Sequence, residues 1–130
     1  MSYESLNADS PIRAHATHIV SLHLFNDYGA YSFWMERAEL YLNNAEKYYA
    51  RKDKADIYEM VGNESAARNL LADEMEETAE GIKNDAQDCV TDRNENRMPG
   101  MMFSDLIGRI FACVNWDEIA TQFIDAVQEG

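Results

Sequence analysis

A chain of 130 residues, 46% hydrophobic and 11% aromatic, suffices for one packed core and excludes a largely disordered protein. Its 24 acids against 11 bases give a net charge of −13, which opposes direct contact with a nucleic-acid backbone or an anionic membrane and makes a basic protein surface the natural counterpart. Residues 1–65 hold ten acids and six bases, residues 66–130 fourteen and five, so the negative field is concentrated in the second half.

The pattern predicts an all-α fold, a compact single-domain bundle of about five helices spanning residues 1–130. The stretch MSYESLNADSPIRAHATHIV has no basic flank leading into an apolar run, and the longest apolar run further along is Ile110–Val114. Neither a signal peptide nor a membrane span is expected, and the reading is cytoplasmic. Cys89 and Cys113 stand apart, each expected as a small buried hydrophobe in a reducing compartment.

The first helix is expected from Pro11, capped by Ser10, to about Phe25, with a stop near Asn26, Asp27 and Gly29. In the second, Tyr31, Trp34, Ala38, Tyr41, Ala45 and Tyr48 follow a 3,4,3,4,3 spacing that keeps them on one stripe. Such a stripe is either a core seam, the favoured reading, or a contact surface for a second protein. The charged ARKDKAD (50–56) either ends this helix or is an exposed turn of it, and Gly62 and Asn63 end whatever follows.

The third helix starts after Asn63 and contains NLLADEMEETAEGIKNDAQD (69–88), with seven carboxylates and one base, Lys83. At 100° per residue, Ala67, Leu71, Met75, Thr78, Ile82, Ala86 and Cys89 gather on one side and Asp73, Glu76, Glu77, Glu80 and Asp88 on the other. Glu74, Asp85 and Asp92 flank this acidic row. Gly81 marks a place where the helix can split, because interior glycine costs about 1 kcal/mol relative to alanine. A polar loop is expected over TDRNENRMPG (91–100).

The fourth helix, from Met101 or Ser104 to Val114, presents Phe103, Leu106, Ile107, Ile110 and Phe111 and is expected to be the central core helix. The fifth opens with a capping box, Asn115 as cap and Glu118 three residues on, with Val114 stapled to Ile119. It is expected to bury Trp116, Ile119, Ala120, Phe123 and Val127 and to end at Gly130.

No catalytic motif accompanies this framework, and the chain is read as a binding protein rather than an enzyme, without cofactor. His15 and His18 lie three apart on the first helix, but no HExxH, ExxH or cysteine pair adds ligands, so no metal is expected. Asp92, Asn94 and Asn96 take alternate positions of a calcium loop, yet Arg97 stands where glycine is required and Phe103 where glutamate is. Three histidines in one helix, without a GxSxG-like turn, do not make a nucleophile and its base, and no glycine-rich phosphate loop occurs.

In size, charge, helical build and lack of catalytic motifs the chain resembles the small acidic proteins by which phages and plasmids block host restriction or CRISPR systems through imitation of DNA. The resemblance implies a basic surface of a nucleic-acid-handling defence protein as partner. The surface to meet it would be Asp73, Glu74, Glu76, Glu77, Glu80, Asp85, Asp88 and Asp92. The alternative is a helical adaptor or homodimer joined through Tyr31, Trp34, Tyr41 and Tyr48. Acid-rich, lysine-poor composition also arises from adaptation to salt or from plain solubility.

Overall fold

Among the residues described by the computed structural model, which are the backbone of 11–93 and 97–129 and the side chains of 11–88 and 102–129, every regular element is helical. The order is α1 (Pro11–Asn26), α2 (Tyr28–Arg51), α3 (Ala55–Val61), α4 (Asn63–Arg93), α5 (Arg97–Ala112) and α6 (Trp116–Glu129). The expected all-α bundle is therefore observed, with one helix more than anticipated. The capping residue Ser10 and the terminal Gly130 fall outside the described residues.

The added helix is the short α3. ARKDKAD does end α2: Asp53 takes a left-handed φ of 57°, a conformation that Asp tolerates better than most residues, and the Lys54 N–H turns back to the Tyr49 carbonyl at 2.8 Å. Gly62, at φ 87°, then separates α3 from α4 by a single residue and donates its N–H to the Tyr58 carbonyl. Only glycine takes that φ without strain. At the other end of α2, Asp27 is both the bend after α1 and the cap of the next helix, its carboxylate accepting from the Ala30 N–H at 2.9 Å.

Two expectations about breaks are corrected. Gly81 does not split its helix; α4 runs through it for 31 residues. The loop expected over 91–100 is mostly helical, with α4 reaching Arg93 and α5 starting at Arg97. Pro99 is the third residue of α5, where the N–H would have no helical acceptor, so its imino nitrogen removes no bond from the ladder.

The core forms where α2, α4 and α6 meet. α2 contributes Trp34, Ala38, Tyr41, Ala45 and Tyr49; α4 contributes Ala66, Ala67, Leu70, Leu71, Ala72 and Met75; α6 contributes Ile119, Ala120, Phe123 and Ile124. The alanines allow close helix approach, and Phe123, fully buried, stacks on Phe25 of α1 at 4.3 Å between centroids. The Glu118 N–H donates to Asn115 Oδ1 at 3.2 Å, so the anticipated cap of α6 is in place. Buried Thr17 accepts the Asn115 N–H at 2.9 Å, and Ser21 donates to Gln122 at 2.6 Å, tying α1 to the start and middle of α6.

α5 is not the central core helix. It packs on α4 through Ser104, Ile107, Gly108 and Phe111, all only half-buried, while Phe103, Leu106 and Ile110 are about half exposed. The fit to α4 is close: a Cβ on Gly108 would come within 3.1 Å of the Gln87 amide nitrogen, which itself donates to the Ser104 carbonyl at 2.8 Å.

Candidate functional site

The stretch of α4 from Asp73 to Asp88 carries the densest negative charge among the described residues. Asp73, Glu76, Glu77, Glu80, Asp85 and Asp88 are all exposed. Because the helix is unbroken, these six residues span roughly 22 Å, one carboxylate every 4 to 5 Å on average. Asp73, Glu76, Glu77 and Glu80 border one open, shallow surface depression, so the four carboxylates lie side by side on one exposed face. Lys83 is the one base within residues 69–88, and its Nζ sits 2.7 Å from Glu80 on the preceding turn.

The fold extends this surface. Asp73, Glu76 and Glu80 also border a groove of about 460 Å³ whose far wall includes Phe111 of α5 and Trp116 and Asp117 of α6. Asp117 is a residue that sequence reasoning missed. Its position in the first turn of α6 is legible as a helix-start acid, but its approach to the α4 row depends on how α6 docks. Arg13 of α1 lines the same groove, so the site is predominantly rather than purely acidic.

Glu74 does not belong to the exposed row. Its carboxylate accepts from Arg37 Nε at 2.7 Å and from the Tyr41 hydroxyl, and Arg37 also donates to Tyr41 at 2.9 Å. The Glu74 hydrogen bond makes the Arg37 guanidinium still harder to deprotonate. Burial, followed by donation to Glu74, pushes the Tyr41 phenol up to about 12. This triad joins α2 to α4. Asp92 lies in the last turn of α4, and its side chain is outside the described residues.

The aromatic stripe of α2 goes largely into the core. Trp34 and Tyr41 are buried, and Tyr31 and Tyr48 are half-buried against the same cluster. The aromatic surface that α2 does show is different: Tyr28 and Phe33, 85% and 48% exposed. His15 and His18 are exposed on α1, and among the described residues no three His, Cys, Asp or Glu side chains are placed to share a metal ion. Cys113 is buried as a free thiol, and Cys89 lies outside the described side chains. No described helix is long and apolar enough to cross a membrane.

What this arrangement offers chemically is a rod of fixed negative charge, able to accept hydrogen bonds from arginine and lysine. No protein-family model, curated protein or solved structure matches the chain.

Proposed function

We propose that the chain is a small acidic inhibitor that occupies the phosphate-binding surface of a nucleic-acid-handling host defence protein, of restriction or CRISPR type. The observation that carries this reading is the concentration of exposed carboxylates along α4, from Asp73 to Glu80 and again at Asp85 and Asp88. One DNA strand presents a phosphate about every 3.4 Å of axis, and this stretch presents six exposed carboxylates over roughly 22 Å, about one every 4 to 5 Å on average. Asp117 from α6 adds negative charge beside it. Long-range attraction would speed encounter, select basic partners and weaken with salt. Nucleic acid itself would be repelled by the same charge.

The test is capture from a bacterial lysate with tagged native chain and with a variant carrying Asp73→Asn, Glu77→Gln, Glu80→Gln and Asp88→Asn. A nucleic-acid-handling protein held by the native chain at low salt, and bound roughly tenfold or more weakly by the variant, is the expected result. Equal retention by the two chains sinks the proposal.

A further inference from the structure

We infer that the outer face of α5 is a self-association surface, covered in solution by α5 of a second copy of this chain. α5 is apolar on two sides. One side, Ser104, Ile107, Gly108 and Phe111, lies against α4. On a helical wheel Met102, Phe103, Leu106 and Ile110 occupy an arc of about 100° on another side, the width of a core-facing stripe, and none of them is covered. Their exposures are 60%, 47%, 52% and 51%. Phe103, Leu106 and Ile110 follow the 3,4 spacing by which one helix seats against another.

Area and charge both select a second copy as the occupant. Half-exposed side chains of this size leave roughly 100 Å² each, about 400 Å² per copy, so two copies pairing through this stripe cover about 800 Å² before any flanking residue is counted. Stable interfaces start at about 1,200 Å² in total, so the stripe supplies about two thirds of that area, and the exposed Asp105 and Arg109 beside it add to it. In a chain of net charge −13, self-association requires a face without excess acid. α5 offers one: among its described side chains the single acid, Asp105, is matched by Arg109.

The exposed pair Asp105 and Arg109 also fixes the direction. A two-fold antiparallel pairing centred near residue 107 sets Asp105 of one copy opposite Arg109 of the other. The centre of the apolar stripe, midway between Phe103 and Ile110, falls within half a residue of that point. A parallel pairing would put the two charged flanks on opposite sides of the seam, where Asp105 and Arg109 do not meet their counterparts. The inference does not depend on the inhibitor reading: its readout is mass, whereas that reading is tested by capture.

Sedimentation equilibrium of the full chain across roughly 1–100 μM is the test. The native chain is expected as a dimer. Leu106→Lys and Ile110→Lys, each made at an exposed site, are expected to keep the helical circular dichroism and to weaken the dimer by about 100-fold or more, since each removes an anchor twice. Ile110→Leu is expected to dimerise within about threefold of native, and Ile19→Lys, on the exposed side of α1, as native. Arg109→Glu is expected to weaken pairing a few-fold and Asp105→Arg added to it to restore pairing. A monomeric native chain over the whole range, or a dimer indifferent to both lysine variants, overturns the inference. Failure of the charge rescue overturns the antiparallel register.

Discussion

The two halves of α4 are one continuous helix under opposite conditions. From Ala66 to Met75 six of ten residues are buried, because α2 and α6 close over the helix from different sides. From Glu76 to Asp88 only Ala79 is buried, with α5 as the cover. The composition changes at the same place: alanine and leucine give way to Asp73, Glu76, Glu77 and Glu80 as the helix leaves the core. The first half is therefore held by packing, and the second by its own hydrogen bonds and one neighbour. A surface row of like charges, which repel at i,i+4 by a few tenths of a kcal/mol per pair, is tolerable only on a helix anchored elsewhere.

The largest effect should come from truncating the two halves alike. Leu71→Ala empties a fully buried position and is expected to cost 2 to 5 kcal/mol by urea denaturation. Ile82→Ala, two to three turns further along at 58% exposure, is expected to change stability by less than about 0.5 kcal/mol. Similar losses at both positions would mean that the distal half is covered by something beyond α5.

The helical character, the cap at Asn115, the core faces of α2 and α6 and the exposure of the acids other than Glu74 were legible from spacing alone. Errors came where burial depends on which helix is next door. An arc drawn through Ala67, Leu71 and Met75 continues to Thr78 and Ile82, yet both are exposed. The inward side turns instead toward Ala79, Lys83, Ala86 and Gln87, because α5 replaces the earlier neighbours and approaches from another direction. One arc presumes one partner. α5 was misread for the same reason: apolar residues on two sides signal a central helix, and periodicity does not reveal that the described residues supply a neighbour for only one. Glu74 looked like its acidic neighbours because its pairing with Arg37 and Tyr41 spans two helices.

The Arg37–Glu74–Tyr41 triad gives the anchored half a titratable signature. Tyr41, 7% exposed, has an ordinary phenol value of 10.0 raised to about 12. The folded state thus holds the proton more tightly than the unfolded chain. Its contribution to stability is complete below pH 10 and is lost as pH rises through 12. The difference in unfolding free energy between native chain and Tyr41→Phe should therefore shrink over that window by on the order of 2 kcal/mol, measured against denaturant at fixed pH. A difference that stays constant from pH 9 to pH 12 would show that the phenol is not held by the triad. The comparison with Phe cancels every pH-dependent contribution common to both chains.

The smallest effect tests the distal half on its own terms. Gly81 lies in the exposed part of α4, its φ is not positive, and a Cβ built there meets nothing within 4 Å. Gly81→Ala adds no contact there. A helix held by its own backbone gains because alanine has less freedom to lose, about 0.5 to 1 kcal/mol. The expected outcome is a gain of that size, accompanied by slower amide hydrogen exchange at residues flanking Gly81 and little change around Leu71. Unchanged exchange near Gly81 would mean that α5 already fixes this stretch as firmly as α2 and α6 fix the other. The acidic row would then sit on a second packed region rather than on an arm extended from the core.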